Sequence, residues 1–355
     1  MAMGKPIGIR AGSLATAALG ALFVVCWSSG FVGAKLGAAE APVPTVLLWR
    51  TLPLALALAP ALLLGRTRPT GRDLGRHVVV GALSQSGYLL TVYWAIGLGV
   101  STGTTALIDG LQPLVVAALA GPLLGVAVTG RQWAGLGMGL TGVALVCLVD
   151  ATAPGAGAPP WAYAVPPAGM LCLVAATFLE RRAPTRAPAL QTLAVHCATS
   201  AVVFTAVAVV AGEVVPPASA RFWVAIVWLV VLATFGGYGL YWFLLRRVGV
   251  TRVNALMFLV PPVTTLWGAA LFGEPLTLLT AAGLALATTA TWLVTARVDL
   301  GPGRGRRDSG PSASDLGTFG PQPATRSAAT LEGRPEGPAH HRGKVPRTRS
   351  TSHAS

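Results

Sequence analysis

Three side chains able to hold an ion or carry a proton fall inside long apolar runs. They are Arg50 in Pro44–Leu64, Asp109 in Thr104–Val126 and His196 in Leu190–Val210. A charge in hydrocarbon costs about 2.5–3.5 kcal/mol on insertion scales, so such a residue is kept for a partner, a wet path or a function. Arg50 and Asp109 each lie about six residues into their runs, roughly 9–10 Å below the same surface at 1.5 Å per residue. His196 lies at a similar depth from the opposite surface. A guanidinium suits an anionic substrate group. A carboxylate or an imidazole suits proton exchange. The plainer roles are a stem that snorkels to the interface or a structural hydrogen bond. If Arg50 and Asp109 both serve one pathway, they should face it and come within reach of each other in at least one state. Lys35 and Glu274 stand at the ends of runs, where solvation is the plainer role. Glu274 is a third candidate to carry a proton.

Aromatic residues cluster near the same runs. Trp27, Tyr88 and Trp94 could stack on an organic molecule, while Tyr93, Tyr238, Tyr241, Trp242 and Trp267 read equally as interface anchors or cavity walls. The four cysteines, Cys26, Cys147, Cys172 and Cys197, each fall inside an apolar run and read as small fillers, not as a disulfide or metal site. Only seven acidic residues precede residue 299, and they are scattered. No HExxH, GxSxG or phosphate-binding loop is present, so neither an enzyme nor a cofactor is expected. No selectivity element of an ion channel is visible. A receptor or scaffold without transport remains an alternative.

The elements that carry these residues follow from composition. Charged residues make up 11% of the 355, hydrophobic ones 53%, and the mean hydropathy is +0.65. A soluble domain is nearer one quarter charged. The apolar runs are long enough to cross a bilayer as helices. They number ten, and an all-α, multi-pass membrane protein is expected: Leu14–Ala34, Pro44–Leu64, His77–Leu98, Thr104–Val126, Gln132–Val149, Trp161–Leu179, Leu190–Val210, Phe222–Leu245, Val253–Phe272 and Leu276–Ala296. A cleavable leader ending at Ala39-Glu40-Ala41 is disfavoured, because the first run is long, holds Trp27 and polar residues, and is followed by Pro42. The net charge of +14 does not imply nucleic acid, because the basic residues sit in short gaps between spans and in the tail. Those gaps alternate. Arg66, Arg68, Arg72, Arg76, Arg131, Arg181, Arg182, Arg186, Arg246, Arg247 and Arg252 fall on one side, against Arg221 and Lys35 on the other. The arginine-rich side is therefore expected to be cytoplasmic, with both termini.

The chain is also duplicated. Gly99-Val100-Ser101 matches Gly249-Val250-Thr251 at an offset of 150, and the match resumes at 148 with Pro113 on Pro261, Gly125 on Gly273 and Gly135 on Gly283. Proline and glycine matches weigh most, because each constrains the backbone in its own way. The expected units are a first five-span repeat over 1–150, an external linker over 151–160, a second repeat over 161–298 and a disordered basic cytoplasmic tail over 299–355. Five is odd, so the second copy must be inverted. Pro113 and Pro261 occupy corresponding mid-span positions, where a lost backbone hydrogen bond can line a cavity. An ordinary packing kink is the plainer role.

In these features the chain resembles the EamA family of the drug/metabolite transporter superfamily. The resemblance rests on Trp27-Ser28-Ser29-Gly30-Phe31 with Lys35, on Arg50, on Tyr88 and Trp94-Ala95 ahead of Gly99-Val100-Ser101, on the Pro113 and Pro261-Pro262 kinks, and on Gly273-Glu274. It covers about residues 14–296. In one respect the chain departs from the family, since Val126 stands where the second copy has Glu274. The resemblance implies a secondary active transporter of a small metabolite, amino acid or drug-like molecule working by alternating access, with proton-coupled export expected and facilitated uniport the alternative. The expected partners are a small-molecule substrate and the lipid bilayer, with no nucleic acid; a homodimer is left open. The Ala-, Gly- and Arg-rich composition points to a bacterial inner membrane. In a cysteine-free background, an impermeant reagent added outside cells should label Ala156→Cys and spare Arg182→Cys; the reverse pattern inverts the topology.

Overall fold

The computed structural model describes residues 7–63, 70–125, 128–154, 157–182 and 188–295. The tail from residue 299 lies outside them, as do Arg66, Arg68, Val126, Ala156 and Arg186. Among the described residues every regular element is helical. Nine helices among the described residues are long and apolar enough to cross a membrane: spans 1 to 9 run Leu14–Ala38, Val43–Leu62, Gly71–Gly97, Thr102–Leu123, Gly130–Thr152, Pro160–Glu180, Leu190–Ala211, Ala220–Val248 and Arg252–Phe272. The tenth, Leu278–Val294, is apolar but shorter than expected. Its first turn is given up to a reciprocal cap, in which Thr280 N donates to Thr277 Oγ1 (3.1 Å) and Thr277 N to Thr280 Oγ1 (3.3 Å).

Local sequence fixes the other ends too. Thr129 and Gln132 form a capping box at the start of span 5, with Thr129 N donating to Gln132 Oε1 at 2.7 Å. The duplicated glycines have duplicated backbones. Gly125 and Gly273 close their helices at φ 69° and 66°, and Gly99 and Gly249 turn the chain at φ 102° and 84°. These are left-handed values that a side chain rarely adopts, which is why glycine recurs at matching positions in both copies.

Spans 4 and 9 are each broken in the middle. The helices of span 4 are Thr102–Asp109 and Gln112–Leu124, and span 9 falls on the helices Val250–Met257 and Val260–Phe272. Pro113 and Pro261 sit in the first turn of the second half-helix, where a missing N–H leaves no bond unmade. Pro261 is buried and Pro113 half-buried. The two breaks abut, since a Cβ on Gly110 would lie 3.1 Å from Pro261 Cγ.

The packing repeats the duplication. Span 2 packs along span 7, the first half-helix of span 4 against span 9, and span 5 along span 10. Span 1 packs on span 8, as span 3 packs on span 6. Each contact exchanges one repeat for the other, as an inverted pair requires. One face carries Lys35, the turn at Ser101, the 212–219 loop and Glu274, and is termed the linker face below. Ser101 N donates there to Asp150 Oδ2 (3.0 Å), and Thr45 Oγ1 and Trp49 Nε1 donate to the carbonyls of Glu213 (2.6 Å) and Val214 (3.0 Å).

The seam between spans 5 and 10 is the closest approach. A Cβ on Gly142 would lie 2.6 Å from the Gly283 carbonyl oxygen, and one on Gly283 would lie 2.7 Å from that of Gly142. Backbone meets backbone, as small residues allow in membranes. Gly142→Ala should therefore cost about 1–3 kcal/mol by overpacking and lower the thermal midpoint in detergent. Gly137→Ala on the same helix, where nothing lies within 4 Å, should not. Equal midpoints for the two variants would show that the seam yields.

Candidate functional site

Five spans converge at the level of the break in span 4. Arg50, 7% exposed, projects from span 2. Its Nη1 donates to the Tyr93 hydroxyl, and its guanidinium lies 5.4 Å from the centroid of the same ring. Tyr93 is buried. One turn and a half earlier on span 3, Tyr88 donates its hydroxyl to Asp109 Oδ2 at 2.8 Å. Asp109 is the last residue of the half-helix Thr102–Asp109, and its Oδ1 is buried with no hydrogen-bond partner. A buried carboxylate oxygen left open is an acceptor, or a proton site, in waiting. The guanidinium likewise has more donors than the one spent on Tyr93.

Arg50 and Asp109 thus belong to one polar cluster without forming an ion pair. Tyrosines of span 3 hold each of them separately. The backbone makes this possible. Residues Ala82–Gly87 of span 3 are π-helical, and Tyr88 follows directly. Span 8 has a matching π-helical stretch, Leu229–Tyr238, ending on a tyrosine. Gly87-Tyr88 and Gly237-Tyr238 stand 150 residues apart, the offset of the duplication. π-helical turns recur at functional sites because they re-aim side chains. Tyr238 packs 5.2 Å from Trp27, which also meets Phe23 at 5.6 Å and Tyr241 at 6.0 Å between ring centroids. The Arg50 charge reaches Tyr88, Tyr93 and Tyr238 electrostatically. The site is therefore a cation and a carboxylate set in an aromatic wall.

The other sequence candidates divide. Trp27 and Tyr88 stand in the wall. Trp94 is 48% exposed, outside this wall. Tyr93, its neighbour in sequence, takes the inward position. Pro113 and Pro261 shape the two breaks without presenting a polar group. Near the second break, Ser28 Oγ donates to the Val260 carbonyl at 3.4 Å. His196 is buried against His77 of span 3, with ring centroids 6.0 Å apart and Nε2 without a hydrogen-bond partner. Gly81 lets the helices meet there, since a Cβ on it would come within 2.9 Å of His196 Cα. Glu274 lies at the linker face and is bonded to Lys35 and Thr102. Tyr93 as an arginine partner carries no sequence signal, whereas Tyr238 as the repeat mate of Tyr88 is marked by the matched Gly87-Tyr88 and Gly237-Tyr238 pairs. Among the described residues, no group of three or more His, Cys, Asp or Glu is placed to hold a metal ion.

The profile of the EamA-like transporter family matches residues 14–148 and 163–296, one match per repeat. The chain belongs to this family. Its two matches bracket the linker and end at the tail, in agreement with the inverted five-plus-five architecture. No curated protein matches. Among solved structures, one described only as "Crystal structure of protein" aligns with 80% of this chain and 99% of its own, at a TM-score of 0.54 and 21% identity. That similarity shows the fold alone. A polytopic membrane protein of a transporter family is thereby established.

Within this family member the Tyr93 hydroxyl has a definite task, to give a buried guanidinium a partner. Hydrogen bonds to charged groups contribute about 1.5–3 kcal/mol. Tyr93→Phe should lower the thermal midpoint in detergent by a corresponding amount, while Trp94→Phe should leave it nearly unchanged. If the two midpoints fall together, Arg50 does not depend on this bond.

Proposed function

We propose that the protein is a secondary active transporter that exports a small metabolite, amino acid or drug-like molecule in exchange for protons, by alternating access. The observation that carries this reading is the pairing of Arg50 with Tyr93 and of Asp109 with Tyr88 beside the break of span 4. A site at mid-span, between inverted repeats and next to a broken helix, is what alternating access needs, because two related packings can present it to either side in turn. Arg50 offers its remaining donors to an anionic substrate group. Trp27, Tyr88 and Tyr238 offer faces to an organic body. Asp109 offers Oδ1 to a proton or to a cationic nitrogen. The cluster thus suits amphoteric molecules that carry both signs of charge. Protonating Asp109 removes a charge that would otherwise cross low dielectric, so a proton and a substrate can load in alternation. The family is one of transporters, and no catalytic role is proposed. The loop arginines support a cytoplasmic position for both termini and a multi-pass place in a cell membrane.

The test is uptake and exchange in proteoliposomes against a panel of radiolabelled metabolites, with and without a pH gradient. Arg50→Ala should lower transport at least about tenfold, equivalent to about 1.4 kcal/mol. Arg50→Lys should recover only part of it, because a point charge cannot reproduce a planar fork. Full transport by the Arg50→Ala/Asp109→Ala double variant would remove the site. Transport indifferent to collapse of both gradient and potential would make the protein a facilitated uniporter.

A further inference from the structure

Glu274 is the most fully engaged carboxylate among the described residues. Its side chain is 6% exposed and receives Lys35 Nζ on Oε1 at 2.6 Å. Thr102 N donates to the same oxygen at 2.9 Å, and Thr102 Oγ1 to Oε2 at 2.8 Å. Gly103 N adds a long contact to Oε2 at 3.4 Å. The carboxylate therefore caps the half-helix Thr102–Asp109, where the helix dipole favours negative charge. Lys35 is held in turn over the Phe272 ring, 4.9 Å from its centroid. The seat is closely dimensioned. A Cβ on Gly268 would collide with the Glu274 carboxylate and lie 2.6 Å from Thr102 Oγ1, and one on Gly103 would lie 2.5 Å from Thr265 Oγ1.

Every one of these side-chain bonds joins the two repeats. Lys35 ends span 1 and Thr102 begins span 4, both in the first copy, while Glu274 follows span 9 in the second. The opposite ends of spans 1 and 9 meet differently, with Gly20 facing Leu256, whose Cδ1 would lie 3.2 Å from an added Cβ. That contact is apolar. In the sequence, the position equivalent to Glu274 in the first copy is Val126.

We propose that Lys35, Glu274 and the first turn of Thr102–Asp109 form a charged latch that closes the linker-face end of the pathway. This rests on the transport reading above. Separating the repeats at the linker face breaks an ion pair and a helix cap together. Separating spans 1 and 9 at their other ends, where Gly20 faces Leu256, breaks an apolar contact. The unliganded protein therefore rests with the linker face shut and takes its substrate from the arginine-rich face. With the topology inferred from the loop arginines, that is loading from the cytoplasm, and so export.

The experiment needs no substrate, so its outcome is independent of whether the Arg50 variants transport. Two buried reporters are placed singly in a background lacking Cys26, Cys147, Cys172 and Cys197. Thr264→Cys lies one turn below the Gly268 seat, and Val253→Cys lies in the other half of span 9; both parent residues are 0% exposed. The protein is held in nanodiscs and labelled with a maleimide. Glu274→Gln should speed labelling at Thr264→Cys at least tenfold and leave Val253→Cys unchanged or slower. Lys35→Met keeps the Thr102 cap and should give a smaller rise with the same pattern; it carries the test if Glu274→Gln does not fold. Equal acceleration at both reporters would mean general loosening and would overturn the latch. So would no acceleration at Thr264→Cys in either variant.

Discussion

Hydrocarbon supplies no hydrogen-bond partners, and the rest of this structure depends on how the chain meets that constraint at two interrupted helices. Spans 4 and 9 both break in the middle, and each restarts on a proline in its first turn. An unmade backbone bond in lipid costs several kcal/mol. The two breaks are set against each other at Gly110 and Pro261, with Ser28 bonded to the Val260 carbonyl and Asp109 bonded to Tyr88. Polar groups gather where the backbone is open, and the candidate site is the side-chain continuation of that gathering.

The duplication provides the frame, and departures from it provide the function. The tyrosines at the ends of the two π-helical stretches are kept in both copies. Arg50, Asp109 and Glu274 each occur in one copy only. A symmetric frame gives two packings of similar energy, and unmatched charges then make the two unequal. The polar cluster built on Arg50 and Asp109 and the capped carboxylate of Glu274 stand at different levels of the bundle for this reason.

Much of this was legible in the sequence. Run length and loop arginines gave the spans, and the paired prolines and glycines gave the duplication and the breaks. Arg50 and Asp109 stood out because ionisable residues are costly in lipid. Their partners did not, and the reason is geometric. Tyr93 and Trp94 are adjacent, and both suit a membrane helix. One points inward and the other outward, and a helix that is apolar on all sides carries no periodic signal to separate them. The π-helical stretch before them also shifts the phase that a regular helix would have kept. From the sequence, Glu274 is an interfacial residue whose plainer role is solvation and whose other role is to carry a proton. Its burial depends on Lys35 and Thr102, which lie 239 and 172 residues away in sequence, beyond any local pattern.

The π-helical stretches have a consequence for how the wall can change over evolutionary time. A π-turn behaves as one inserted residue within an α-helix, and each residue advances the helix by about 100°. Deleting one residue between Ala82 and Gly87 would therefore rotate everything after it, taking Tyr88 and Tyr93 out of the wall together and bringing their neighbours in. Span 8 offers the same option through Leu229–Tyr238. A protein built this way can exchange the tyrosines of its aromatic wall by a change in chain length, leaving the letters of those spans unaltered. Its descendants can differ in that wall while their sequences, aligned residue by residue, show little more than a gap.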